Sequence, residues 1–247
     1  MFGASATFTD IRTLPRNGNG YTLTPGLYEL EAESFCLRAG THGPSAGDGY
    51  LPAPLLGDRE AIVYKILATY AGSTAVSQRD AQVLIWAIVA NTRYTDMSPR
   101  VQLTAAALLT EEELFTLNDG AIGLIPDQVW FELEQQIPAP VRQVYIAERR
   151  MRNLINQADS SYETLEDVAV LTGAAPAASL IREIPRGQWA AHPDGYLIRY
   201  FPSGYSRTRV EVFVPPEQSS VLFDPSRTVA APANTGAQRL GIGIPSN

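Results

Sequence analysis

The stretch "RDAQVLIWAIVA", residues 79–90, leaves the chain few ways to fold. From Ala81 to Ala90 every side chain except Gln82 is apolar, and Ser77 stands ahead of the run as a helix N-cap. On a helix Gln82 neighbours Ile85, Trp86 and Val89, while Val83, Leu84, Ala87 and Ile88 cover most of the remaining circumference. A helix that is apolar all round is a buried helix. A buried amide without partners costs roughly 1–3 kcal/mol. Either neighbouring loop carbonyls satisfy Gln82, or its amide has been chemically changed.

The rest of the chain is long enough to wrap such a helix. It has 247 residues, 45% of them hydrophobic and 18% charged, an ordinary globular balance. A net charge of −7 argues against a nucleic-acid groove or an anionic membrane surface as partner. No apolar stretch approaches the ~18–20 residues of a membrane span, so no membrane insertion is expected. The N-terminal "MFGASATFTDIRTLPRNG" lacks the apolar core of a signal peptide. Two histidines, His42 and His192, are too few for most metal sites, and no motif asks for a cofactor. Lys65 is the only lysine beside 18 arginines. Genome composition explains that bias, as does a chain whose reactive acyl group is best kept from amines.

Element order suggests an α+β plan, a sandwich-like sheet region with a small helical bundle inserted between β segments. Residues 21–38 alternate like a strand after the Pro25-Gly26 turn, with Tyr28, Leu30, Ala32, Ser34 and Cys36 on one face. Glu29, Glu31 and Glu33 fall on the other, which must be wet. Residues 39–58 form a Gly/Pro-dense loop too long for a simple connection. Helical patterns follow at 58–71 (Asp58 as cap), 77–92, 99–109, 110–118, 126–136 and 138–158. From 184 to 215, Pro193-Asp194-Gly195 and Pro202-Ser203-Gly204 mark two hairpins. Their aromatics, Trp189, Tyr196, Tyr200, Phe201, Tyr205 and Phe213, suit a sheet core or a glycan- or protein-binding face. Residues 1–222 are expected as one domain, β at 20–38 and 184–215 and helical across 58–158, with 223–247 an extended tail.

Cys36, the only cysteine, lies on the inward face of its strand. A buried lone cysteine is usually a small hydrophobe. Held in a dry pocket against a Gln amide, however, its sulfur can attack the amide carbon, expel ammonia and leave a thioester joining the two side chains.

"SFCL" (34–37) and "AQVLIW" (81–86) resemble the thioester domains of bacterial surface adhesins. In that family an aromatic residue precedes the reactive Cys, as Phe35 does here. The family's Gln lies in a helical Thr-Gln-x-Ala-Ile-Trp motif. Gln82, Ile85 and Trp86 match it, while Ala81 replaces the Thr and Leu84 the Ala. The 46-residue gap, with "GDGY" ending at Tyr50 and a helix "REAIVYKIL", also looks like the family. The resemblance covers about residues 25–95. It implies a Cys36–Gln82 thioester, supported by Phe35, Trp86 and Tyr50. Its activity would be covalent capture of an amine or hydroxyl on a host or surface protein or glycan, without enzymatic turnover. It also implies an extracellular or cell-surface location and no cofactor. The family normally carries a secretion signal and a C-terminal anchor, which this sequence does not display. The helical stretch 99–158 and the tail also depart from its pattern.

His42 and Asp48, in the loop after Cys36, could assist the thiol as a base or reshape its pocket, or be a loop His and a turn Asp exposed to solvent. A reading of a different class makes the chain a structural subunit of a surface filament, capsule or injection apparatus. There the Gly/Pro loop and tail would make intersubunit contacts and Cys36 would remain a buried thiol.

Overall fold

The computed structural model describes residues 7–45, 47–118, 138–157, 160–176 and 184–244. The apolar run does form a helix. It is α2 (Gln78–Val89), preceded by α1 (Glu60–Tyr70) and followed by α3 (Pro99–Leu108) and α4 (Glu111–Asn118). Two further helices, α5 (Ala139–Ile155) and α6 (Tyr162–Ala169), complete the helical layer among the described residues. Ser77 caps α2 by accepting from the Asp80 N–H, and Ser161 caps α6 through Thr164. Thr110 and Glu113 exchange hydrogen bonds in a capping box that starts α4. Asp58 does not cap: α1 begins after Arg59, one residue too late for its carboxylate, and has no side-chain cap. The helix expected at 126–136 lies outside the described residues.

The strands are β1 (Thr9–Asp10), β2 (Arg16–Asn17), β3 (Gly20–Leu23), β4 (Gly26–Cys36), β5 (Thr41–His42) and β6 (Tyr50–Ala53). After the helices come β7 (Val170–Leu171), β8 (Ala190–Ala191), β9 (Leu197–Pro202) and β10 (Arg207–Val214). β11 (Val221–Phe223), β12 (Val229–Pro232) and β13 (Leu240–Gly243) end the described chain. The main sheet runs β6-β12-β13-β4-β10-β9-β8, with β1 added parallel to β4. β6 and β9 also pack together, so this largely antiparallel sheet curls most of the way to a barrel. A small β11-β3-β2 sheet lies apart from it. The chain is therefore α+β, with both expected hairpins present as β8–β9 and β9–β10.

The apolar side chains form two clusters. One fills the sheet region with Tyr28, Leu30 and Ala32 of β4, Tyr196 and Tyr200 of the hairpins, and Leu240 and Ile242 of β13. The other gathers α1, α2 and the remaining helices around the end of β4, at Phe35, Cys36 and Leu37. The period-2 pattern of β4 holds as far as Glu33, with Glu31 exposed, and then stops. Phe35 is buried on the outer face because Tyr70 of α1 meets it edge-on at 5.1 Å.

The segment expected as an extended tail is instead part of the main sheet. β12 pairs with β6 and β13, and β13 pairs with β4, Leu240 opposite Cys36. Its glycines hide it from a pattern reading: Gly241 lets the strand lie tight against Leu37 and Leu67, and a side chain at Gly243 would collide with Phe35. The Gly/Pro loop is likewise tied down, through β5 on β7 and β6 on β12.

Candidate functional site at the end of β4

Strand β4 outlasts one of its neighbours. The ladder with β10 ends at Glu33–Arg207, and one more bond joins Ser34 N–H to Ser206 O. Beyond that point the main-chain groups of β4 on this side need other partners. Helix α2 supplies them. Gln78 Nε2 donates to the carbonyl oxygens of Ser34 (3.1 Å) and Ser206 (2.6 Å). Gln82 Oε1 accepts from Cys36 N–H at 2.8 Å, and its Nε2 donates to Cys36 O at 3.0 Å. The spacing explains the fit. Four residues rise about 6 Å along a helix, and two residues advance about 6.6 Å along a strand. Two amides at i and i+4 of α2 therefore meet residues at i and i+2 of β4.

Gln82, only 1% exposed, has a partner for both of its polar atoms, which removes the penalty its setting implies. Both partners belong to the one residue that carries the sulfur. The amide lies flat against the Cys36 main chain, its carbonyl held by an N–H that would also stabilise an oxyanion there.

Cys36 is wholly buried and unpaired with any other cysteine. Its Sγ–H points at Arg38 O, 3.3 Å away. Burial pushes the thiol up to about 11, only partly opposed by the Trp86 indole and the Arg38 main chain. The Trp86 N–H does not reach hydrogen-bonding geometry and is a buried donor without a partner among the described residues. It sits beside the sulfur in place to meet negative charge there.

An aromatic screen closes the site. Trp86 packs against Tyr162 (centroids 5.6 Å) and Tyr205 (6.4 Å). The two phenol oxygens are 2.6 Å apart, and Tyr205 also donates to Glu166 Oε1 in a short hydrogen bond. Burial raises both phenols above their ordinary range. Ser34 Oγ donates to Tyr205 O at 2.9 Å, tying the screen to β4 two residues before Cys36. Arg79 covers Tyr162 at 4.5 Å and pairs with Glu163 at 3.0 Å. Between these groups a cavity of about 190 Å³ leads to Gln82, lined by Gln78, Arg79, Tyr162, Glu166, Tyr205 and Ser206.

The structure thus brings together Cys36, Gln82 and Trp86. Phe35 lies on the other side of β4, fixing the strand end against Tyr70. His42 does not assist the thiol: β5 is held on β7, and its Nδ1 faces the carbonyls of Thr172 (3.0 Å) and Gly173 (3.2 Å). Asp48 instead closes its own turn, accepting from Ser45 N–H at 2.7 Å. Tyr50 is buried in the sheet cluster, its hydroxyl without a partner among the described residues. Sequence reasoning passed over Gln78, Tyr162 and Glu166, and read Tyr205 only as a sheet or surface aromatic. The available signals were the i, i+4 spacing of Gln78 with Gln82 and of Tyr162 with Glu166.

No group of three or more His, Cys, Asp or Glu side chains that could hold a metal occurs among the described residues, and no described helix is long and apolar enough to cross a membrane. No family model, curated protein or solved structure matches the chain.

Proposed function

We propose that this chain is a covalent-capture module of a bacterial surface adhesin. It would form a Cys36–Gln82 thioester and transfer the Gln82 acyl group to a nucleophile on its partner. The observation that carries this reading is the clamp of the buried Gln82 amide on the main chain of the wholly buried Cys36, beside a cavity that leads to it. In the forming step Cys36 Sγ adds to the amide carbon while Cys36 N–H holds the oxygen. The C–N bond then breaks, and ammonia leaves with the thiol proton. In the capture step an amine or hydroxyl of a host or surface protein or glycan replaces the sulfur and the thiol reforms. Each molecule acts once, so the chain is not an enzyme on this reading, and it works at the cell surface or outside the cell.

Intact mass of fresh protein tests this directly. Wild type is expected about 17 Da light, one ammonia, with no deficit in Cys36→Ala. Methylamine should then add about 31 Da and expose one alkylatable thiol. A full-mass wild type rules the bond out.

One observation favours a structural subunit of an extracellular assembly. Leu103, Phe115, Val141 and Ile146, all on the helical layer, are exposed apolar side chains of the kind subunit contacts cover. Regular oligomers in size-exclusion chromatography and electron microscopy would support that reading, and a clean monomer would count against it.

A further inference from the structure

The capture reading needs a route in for the nucleophile and a place for its proton. Both are in the cavity over Gln82. Glu166 is the one carboxylate on its wall, and it reaches the site from α6 while Gln82 reaches it from α2. Its Oε1 holds the Tyr205 hydroxyl, which is linked in turn to Tyr162. Tyr205 is placed by its own main chain, since it directly follows the Gly204 turn (φ 90°) and its carbonyl is held by Ser34. The relay is therefore anchored to the same strand that carries the sulfur.

We propose that Glu166 is the proton acceptor for the nucleophile that opens the bond, and that Tyr205 positions it. This rests on the capture reading above. The step balances without an oxidant or reductant. The nucleophile's nitrogen bonds to the Gln82 acyl carbon, its N–H proton passes to the Glu166 carboxylate, the C–S bond breaks, and the proton ends on Cys36 Sγ. A proton on the sulfur matters because a bare thiolate is costly in this dry pocket. The phenols cannot replace the carboxylate, since their own protons are held above the ordinary range. Arg79, the cation on the wall, is already stacked on Tyr162 and paired with Glu163.

The test follows methylamine incorporation by intact mass from about pH 5 to 9 in wild type, Glu166→Gln and Tyr205→Phe. Rates are expressed per unprotonated amine. Facing Glu166 are Tyr162 from its own helix, Arg79 from α2 and Tyr205 from the β9–β10 turn, and burial holds both phenols above their ordinary range. All three proteins are expected to show the ammonia deficit. Glu166→Gln should open about a hundredfold more slowly. Tyr205→Phe, which keeps the carboxylate, should be slowed less. Glu166→Gln opening at the wild-type rate at every pH overturns the proposal. Should that variant not fold, Glu166→Asp decides: opening slowed by the shortened carboxylate supports it, and opening at the wild-type rate overturns it. A wild type without the deficit sinks the capture reading, and this proposal with it.

Discussion

At the scale of single residues, the two halves of the proposed bond do different work. Gln82 satisfies main-chain groups of β4, whereas the Cys36 side chain donates only to Arg38 O, which Thr41 Oγ1 also bonds. In a Cys36→Ala background, which carries no bond, adding Gln82→Ala should lower stability by about 3 kcal/mol, since it orphans a buried N–H and a buried C=O. Cys36→Ala compared with the amine-opened wild type should cost about 1 kcal/mol. Urea denaturation measures both, and equal costs would mean that the clamp is not structural. A pH effect separates them further. In the opened protein the folded thiol is held up to about 11, against an ordinary value of 9.0. Between those values the unfolded chain has lost a proton that the folded chain keeps, so stability falls as pH rises past about 9. The effect should appear in amine-opened wild type and be absent from Cys36→Ala, a comparison that subtracts the tyrosines.

At the scale of elements, α2 finishes the sheet edge that β10 leaves open, and β13 sets the other side of the same strand end. Gly243 is the sensitive point. A Cβ there would stand 2.7 Å from Phe35, the residue before Cys36, whose ring is already fixed on Tyr70. Gly243→Ala should displace Cys36 from Gln82, visible as a smaller thioester fraction by mass even in protein that still folds. An unchanged deficit would show that Phe35 does not set the geometry. Much of this layer was legible in the sequence. Apolar periodicity located α2 and its buried amide, Ser77 located its start, and turn residues located both hairpins, while α6 lies beyond the last expected helix. Pairing of Cys36 with Gln82 came from the motif rather than from periodicity. The screen of Tyr162, Glu166 and Tyr205 was not legible, because Tyr205 lies on average 40 or so positions from its two partners and only tertiary folding joins them. β13 was missed because glycines at alternate positions erase the strand signal they make possible.

At the scale of the whole molecule, the end of the described chain completes its middle. β13 lies between β12 and β4, so the strand carrying Cys36 is central to the sheet only when the residues after 222 are present. Without them Leu37 N–H loses its bond to Arg239 O, and the ladder groups of β4 from Glu33 to Cys36 lose their partners on that side. Val229, Ala230, Leu240, Ile242 and Ile244, all buried, would also leave both clusters exposed along one edge. An edge strand of that length with its inner face uncovered is a template for aggregation. A chain ended after residue 222 is therefore expected to be recovered insoluble, or soluble without cooperative urea unfolding and with Cys36 open to thiol reagents under native conditions. Near-ultraviolet circular dichroism and alkylation kinetics would measure this beside the full chain. A fragment that unfolds cooperatively with Cys36 still protected would mean that residues 223–247 are an appendage after all, and that α2 alone holds the end of β4.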